Sequence, residues 1–154
     1  NAAAPVRHIR PRGQDFMEGA VLLRRGTRFG ARTVMLAAAM KCAELQERRK
    51  PRVAILSTGD EIMPPGSVLG ADKIVAPVIS GHGAFVDAQG GESYSLGIAR
   101  DDERDLAGAI ARAADADVLV TIGGASVGER DLVRGALARA GLQLSFGKVA
   151  MRPG

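Results

Sequence analysis

Three glycines lie close together in the stretch TIGGASVGERD, residues 121–131, between one apolar run and the next. Gly123 and Gly124 permit backbone conformations that other residues rarely adopt, and without side chains they let an anion approach the backbone amides. A helix beginning near Arg130 would direct its free N–H groups toward the same space, and Ser126 adds a hydroxyl. The alternative is a strand-to-helix turn that needs glycine for packing alone. The loop has neither a P-loop ending nor dinucleotide-fold spacing, so both interpretations stay open.

Acidic residues accompany this loop. The stretch STGDE, residues 57–61, contains Asp60 and Glu61, and the glycine loop ends in Glu129 and Asp131. Carboxylates beside a bound anion are unfavourable unless a cation separates the charges, which suggests Mg²⁺, a hard ion held by carboxylates and substrate oxygens. The alternative is that Asp60 caps a helix or turn and that Glu61 is solvated.

Further charged residues are ambiguous when taken alone. Lys148 and Arg152 lie four residues apart in KVAMRPG and could clasp a phosphate or another oxyanion together, although cations of this kind are usually surface residues. Asp15 in RGQDF is open to the same two interpretations. Cys42 lies on an apolar stripe of a predicted helix, which favours a core residue over a nucleophile.

The elements that must position these residues alternate between strand and helix. We predict strands at 53–56, 93–99, 117–123 and 142–150, and helices at 31–47, 77–89, 101–114 and 130–140. This order predicts an α/β fold, a three-layer α/β/α sandwich with a mainly parallel sheet, because parallel strands need crossover connections. In open sheets of this kind ligands bind beyond the carboxyl ends of the strands, which puts residues 57–61 and 121–131 on the same edge.

The segment before the first helix reads differently. Glycines at 13, 19 and 26 divide residues 1–27 into turns, which predicts a short irregular N-terminal segment from a preceding domain. The α/β domain is expected to occupy residues 28–154, and the length of 154 residues fits one such domain.

Composition narrows the function classes. The chain is 46% hydrophobic and 25% charged, which is typical of globular proteins. Scattered aromatic residues, 3% of the total, offer few stacking platforms, so no nucleic-acid partner is expected. The longest strongly apolar stretch, 34–40, is too short to cross a bilayer, so no membrane partner is expected. The single cysteine excludes an internal disulfide and fits the reducing cytoplasm.

Taken together, five motifs resemble those of one family. RPRGQDF, RVAILSTGDEI followed by PG, LGIARDD, GGASVGERDLV and GKVAMRPG are similar to successive signatures of the molybdopterin molybdenumtransferases, bacterial enzymes related to the E domain of gephyrin. The resemblance extends over nearly all of the chain from about Val6. Five motifs in the same order are much more specific than one glycine loop.

The resemblance implies insertion of molybdate into adenylylated molybdopterin with Mg²⁺, release of AMP and formation of molybdenum cofactor. It also implies a cytoplasmic enzyme that is a homodimer as the full-length protein. Asp15, Glu61 and Asp131 match acidic positions of the active site, with Glu61 and Asp131 as the metal ligands. Ligand-binding positions are implied at Thr58, Gly59, Asp60, Gly123, Gly124, Ser126, Lys148 and Arg152.

Two features depart from the family pattern. Ala76, Pro77 and Val78 stand where an Asp or Ser and an Asn are common, so polar groups that could hold the substrate are missing. The chain also stops where the family continues, which leads us to expect a fragment of a longer multidomain protein that is inactive alone. A molybdopterin-binding module without catalysis is the first alternative, and a molybdopterin adenylyltransferase, which GDE and KVAMRPG fit less well, is the second.

Overall fold

The computed structural model describes residues 9–123 and 132–147 of the chain. Its helices are α1 (Ala31–Ala39), α2 (Val78–Ala88), α3 (Glu103–Ala111) and α4 (Leu132–Arg139), and its strands are β1 (Arg52–Thr58), β2 (Ile62–Met63), β3 (Ile74–Val75), β4 (Glu92–Ala99) and β5 (Val118–Ile122). The chain forms two compact units, the first ending at Arg48 and the second beginning at Arg49. The domain boundary expected at residue 28 remains a prediction.

Strand β1 is the centre of a parallel sheet. Its continuous apolar run, 53–56, is buried, as expected for a strand covered on both faces. β4 pairs with one edge of β1 and β5 with the other, giving the order β4-β1-β5. The carboxyl ends of all three strands therefore meet at one edge of the sheet.

Helices cover both faces of this sheet. Helix α2 packs against β4 and β1, whereas α3 packs against α4 and β4. Leu56 of β1 and Ala99 of β4 share a core cluster with Leu106, Ile110 and Val133 from α3 and α4. The chain passes from β1 to β4 in one direction and from β4 back to β5 in the other, so right-handed crossovers place α2 and α3 on opposite faces. The predicted α/β sandwich with a parallel sheet is confirmed.

Strand β4 contains one residue more than the part of β1 that it pairs with. Ser95 is opposite Ile55 but Gly97 is opposite Leu56, so Leu96 forms a bulge. Gly97 has a φ of 84°, in the left-handed region that favours glycine. Arg112 Nη2 donates a hydrogen bond to the Leu96 carbonyl at 3.0 Å, which pairs this group and fixes the bulge.

Two very short strands lie within a region that the sequence pattern assigned mostly to loop. β2 and β3 form a separate parallel pair in which Ile62 is opposite Ile74 and Met63 is opposite Val75. Strands of two residues are too short to show an alternating pattern, so their pairing could not be predicted. The pair closes the loop 64–73 just beyond the end of β1.

Helix α1 ends well before the predicted boundary. The helix expected over 31–47 stops at Ala39, since Lys41 adopts a left-handed φ of 62°. The Cys42 and Lys41 amides donate to the carbonyls of Ala37 and Ala38, both at 3.0 Å, which is the Schellman arrangement that terminates helices. Cys42 is therefore exposed and is not the core residue that we predicted.

The final predicted strand is not formed in its described part. Residues 142–147 are not in a strand, and Leu142, Leu144 and Phe146 are exposed. The alternation of apolar and polar residues in this segment predicts which side chains would share a face of a strand. It does not determine whether a neighbouring strand is available for pairing. Residues 148–150 of that prediction lie outside the described residues.

No helix within the described residues is both long and apolar enough to cross a membrane.

Ion pairs connect the segments that lead into β1 and β5. The Arg49 guanidinium donates to both carboxylate oxygens of Asp117, at 2.6 and 2.7 Å, and the Arg52 amide donates to the same carboxylate at 2.8 Å. The Arg52 guanidinium also pairs with Asp115, and its Cζ atom lies 5.2 Å from the centroid of the Tyr94 ring. We call Arg49, Arg52, Asp115 and Asp117 the amino-end clasp. Hydrogen bonding to Arg49 lowers the pKa of Asp117 to about 2.

The amino-end clasp predicts an acid-sensitive contribution to stability. Because the pKa of Asp117 is lowered on folding, its contribution is present above the unfolded value of about 4 and is lost as the pH falls toward 2. We expect Asp117→Asn to lower the Tm by a few degrees at pH 7, and this difference from the wild type to shrink between pH 4 and pH 2. Calorimetric scans across this range measure both effects.

Glu47→Gln is the control, since Glu47 is an exposed carboxylate of the first unit. It should follow the wild-type profile. A constant Tm difference between Asp117→Asn and the wild type from pH 7 to pH 2 would contradict the role of the ionised carboxylate.

Candidate functional site

The order of the strands places a topological switch point between the carboxyl ends of β1 and β5. The two strands are neighbours, but β1 leads to α2 on one face, whereas β5 leads to α4, which shares its core with α3 on the other face. The loops that leave such a pair of strands diverge, and ligands of open α/β sheets bind at this switch point. Thr58 and Gly59 lie on one side of it and Gly123 on the other.

Gly123 makes a close backbone contact with Thr58. A Cβ atom at Gly123 would lie 2.5 Å from the Thr58 carbonyl oxygen and 3.1 Å from Thr58 Oγ1. Gly123 also has a φ of 93°, which side chains rarely allow. This close contact supports the packing interpretation of Gly123. The anion-binding interpretation stays a prediction, because it depends on residues 124–131, which lie outside the described residues.

The turn after β1 presents a carboxylate near the switch point. Gly59 has a φ of 143°, and a Cβ at this position would lie 2.9 Å from both Glu61 carboxylate oxygens. Glu61 is exposed, and within the described part of the chain its carboxylate forms no ion pair. It folds back over the Gly59 backbone and remains available to a ligand or a cation.

Asp60 has a different role from its neighbour. Its Oδ1 accepts a hydrogen bond from the Asp101 amide at 3.3 Å, which ties the turn after β1 to the segment after β4. Its carbonyl oxygen accepts from Lys73 Nζ at 2.9 Å. The capping interpretation of Asp60 therefore describes its contacts well, because both bonds hold the turn from which Glu61 projects.

A cleft of about 590 Å³ lies on the other side of β1, between the carboxyl ends of β1 and β4. The cleft is lined by Gly59, by the charged residues Asp60, Lys73, Arg100, Asp101 and Asp102, and by the apolar residues Ile62, Met63, Pro64 and Ile98. Sequence reasoning did not single out Lys73 or Arg100. The sequence around Lys73 does not indicate that it lines a cleft. Arg100 and Asp101 could have been identified, because they directly follow a predicted strand.

Comparison with known proteins identifies this architecture. Residues 54–154 match a family described as "Probable molybdopterin binding domain". The chain belongs to this family. Molybdopterin molybdenumtransferases are similar along almost the whole chain: the one from a Nostoc species is 34% identical over 151 residues, and the one from Haemophilus influenzae is 33% identical over 151 residues.

The similarity includes solved structures. The crystal structure of the molybdopterin biosynthesis protein MoeA from Pyrococcus horikoshii superimposes with a TM-score of 0.72 and 34% identity, covering 82% of this chain and 32% of that one. The alignments with the Nostoc and Haemophilus proteins cover 97% of this chain but only 35% and 37% of theirs. The chain thus spans about a third of the length of its relatives, and these relatives associate it with molybdenum cofactor biosynthesis.

The structure brings some predicted residues of this molybdopterin-binding family together and leaves others untested. Thr58, Gly59, Asp60, Glu61 and Gly123 share one edge of the sheet. Asp15 belongs to the first unit, where Arg10 pairs with it at 3.2 Å. Gly124, Ser126, Asp131, Lys148 and Arg152 lie outside the described residues.

The predicted metal site also remains untested. Among residues 9–123 and 132–147, no three acidic, histidine or cysteine side chains converge as metal ligands. Glu61 is thus the one proposed metal ligand that the structure describes, and Asp131, its proposed partner, lies outside the described residues.

The contact between Gly123 and Thr58 predicts a steric effect. We expect Gly123→Ala to lower the free energy of unfolding by roughly 2 kcal/mol or more, because the new Cβ meets backbone and the φ is unfavourable. Chemical denaturation measures the change. Gly108→Ala in α3 is the control, since a Cβ there meets nothing within 4 Å and alanine favours helix by about 1 kcal/mol. Equal stability of the two variants would contradict the steric argument.

Proposed function

We propose that this chain is the molybdopterin-binding domain of an enzyme that inserts molybdate into adenylylated molybdopterin and releases AMP. The observation that carries the proposal is that Thr58, Gly59 and Gly123 lie together at the topological switch point of the sheet, within the family match over residues 54–154. The similar proteins are named molybdopterin molybdenumtransferases. Because the chain spans about a third of their length, the reaction belongs to the proposal.

The ligand's phosphate is proposed to lie at the glycine loop. Gly123 reaches this edge of the sheet without a side chain, so a phosphate can approach the backbone that follows it. Gly124 and Ser126 would contribute an amide and a hydroxyl. Lys148 and Arg152 would balance the negative charge, in accordance with the family's basic motif.

The acidic residues are proposed to handle a cation and the reacting oxyanion. The free carboxylate of Glu61 suits Mg²⁺, because this ion prefers a few carboxylate oxygens and substrate oxygens. Asp131 would provide a second carboxylate, and a role of Asp15, which belongs to the first unit, stays a prediction from the resemblance. Bound Mg²⁺ would neutralise charge between these carboxylates and the anionic substrate. Asp60 would hold the turn that presents Glu61.

The start of α2 supports a second candidate, a binding module without turnover. Pro77 is the N-cap of α2, and no side chain caps the helix there. Ala76 is buried and Val78 is apolar, so positions 76–78 provide no carboxylate, hydroxyl or side-chain amide to a substrate. Such a module would bind molybdopterin and release no AMP. Dimer formation and cytoplasmic location remain predictions for either candidate.

Calorimetric titration with molybdopterin tests the binding proposal. We expect saturable binding by the chain, and at least about tenfold weaker binding by Gly124→Val, because the new side chain obstructs the proposed phosphate position. Asp131→Ala should bind but lose any dependence on Mg²⁺. No binding by a wild-type chain that unfolds cooperatively would contradict the proposal. In a protein that also contains the relatives' other regions, AMP release separates the enzyme from the binding module.

The Glu61 carboxylate, which has no described ion pair, provides a second test. We expect Glu61→Gln to leave the Tm unchanged, because the carboxylate has no described ion pair, and to remove the effect of Mg²⁺ on molybdopterin affinity. Asp72→Asn is the matched control, since it removes one charge from a carboxylate that is 81% exposed nearby in sequence. Retention of the full Mg²⁺ effect by Glu61→Gln would assign the cation to other residues.

A further inference from the structure

The segment that follows β4 places two unpaired charged side chains in the cleft between the carboxyl ends of β1 and β4. Arg100 and Asp101 both line this cleft. Within the described part of the chain, neither the Arg100 guanidinium nor the Asp101 carboxylate forms a hydrogen bond or an ion pair. Although their charges are opposite and they are neighbours in sequence, the two groups do not pair with each other.

The other charged residues of the cleft hold the fold. Asp60 Oδ1 accepts a hydrogen bond from the Asp101 amide at 3.3 Å, and Lys73 Nζ donates to the Asp60 carbonyl at 2.9 Å. Asp102 Oδ1 accepts from a backbone amide in the first turn of α3 at 2.9 Å and caps that helix. The side chains of Arg100 and Asp101 are therefore the charged groups of the cleft that remain for a ligand.

Backbone hydrogen bonds fix the positions from which these two side chains extend. The Arg100 amide donates to Asp105 Oδ2 at 2.8 Å, and the Asp101 amide donates to Asp60. Both residues also follow directly after β4, which is paired with the central strand. Groups that are fixed before a ligand arrives lose less conformational freedom when they bind it.

The walls of the cleft are apolar. They consist of Ile62, Met63, Pro64 and Ile98, and the volume of about 590 Å³ is typical of small-molecule sites. Apolar walls with a few fixed polar groups suit a flat heteroaromatic ring, which packs against the walls and satisfies the polar groups with its edge.

The two free groups determine which ring edge fits. A guanidinium only donates hydrogen bonds and a carboxylate only accepts them, so the edge must carry an acceptor beside donors. A 2-amino-4-oxopyrimidine ring has this order, with a carbonyl oxygen, a ring N–H and an amino group along one edge. Pterins and guanine share this ring. Arginine bound to a base carbonyl and a carboxylate bound to a base amino group are both established contacts of protein side chains.

We infer that the cleft binds the 2-amino-4-oxopyrimidine ring of molybdopterin, with Arg100 donating to the carbonyl oxygen and Asp101 accepting from the ring N–H and the amino group. The identity of the ligand rests on the proposed function. The recognition of the ring edge rests on the cleft alone, and bonds to charged groups of this kind are stronger than those between neutral groups.

Pterin and lumazine test the inference, because lumazine has a carbonyl group where pterin has the amino group. We expect the chain to bind pterin at least about tenfold more tightly than lumazine at pH 7, since the lumazine carbonyl would face the Asp101 carboxylate. Asp101→Asn should narrow or reverse this preference, because its amide can donate to the lumazine carbonyl. Arg100→Gln should weaken both ligands about tenfold and leave their ratio unchanged. Equilibrium titrations measure these affinities.

Two control variants remove the same charges outside the cleft. Asp72→Asn and Arg104→Gln alter exposed residues that do not line it, and both should bind as the wild type does. Thermal scans confirm that each variant is folded. An unchanged ratio of pterin to lumazine affinity in folded Asp101→Asn would overturn the inference.

Competition separates the inference from the proposed function. If the wild type binds molybdopterin and pterin does not compete with it, the inference alone is overturned. If the wild type binds pterin with the expected selectivity but does not bind molybdopterin, the proposed function fails and the recognition of the ring edge stands. Tighter binding of guanosine than of pterin would assign the cleft to guanine nucleotides and overturn its assignment to molybdopterin.

Discussion

Strand β1 is hydrogen-bonded along both edges and buried on both faces, and the rest of the second unit is arranged around it. Its apolar residues contact layers above and below the sheet, while β4 and β5 complete its backbone hydrogen bonds. A strand enclosed in this way is among the last parts of a domain to open. The position of its carboxyl end is therefore fixed, and a short turn that leaves this end can present side chains with little positional freedom.

The charged and polar groups at the two ends of the sheet differ in how completely they are paired. At the amino end, Arg49 and Arg52 are paired with Asp117 and Asp115, so opposite charges are mutually satisfied. At the carboxyl end, Asp60 is engaged by the Asp101 amide, but the Glu61 carboxylate and the Thr58 hydroxyl have no such partner among the described residues. Among the described residues, polar groups without a partner thus lie at the carboxyl end of β1, and the paired charges lie at the amino end.

The sequence determined some features strongly because their signals are local. The continuous apolar run 53–56 identified the central strand, and the acidic residues near the start of α3 agree with the cap that forms, in which Asp102 accepts from the Asp105 amide. The alternation of strands and helices was sufficient to predict that the loops after β1 and β5 lie at the same edge of the sheet. These inferences require only propensity, burial and handedness.

Other features depend on contacts between distant residues. The residues around Lys41 do not predict its left-handed conformation or the end of α1, because good helix formers continue beyond it. The different roles of Asp60 and Glu61 follow from a hydrogen bond across 41 positions of the chain. The same limit applies to the unpartnered Thr58 hydroxyl, which becomes visible only when the cover provided by Gly123 is known.

The Leu96 bulge makes the length of β4 as important as its composition. Ala99 is opposite Thr58 and contributes to the core shared with α3 and α4, whereas Ile98 is opposite Ser57. Loss of the bulged residue would leave both pairings intact, whereas loss of a residue after the bulge, with the bulge retained, would exchange these two side chains between the faces of the sheet. In related sequences, a change of one residue in the length of this strand should therefore occur at the bulge, and substitutions should be far more common than insertions or deletions in the rest of the strand.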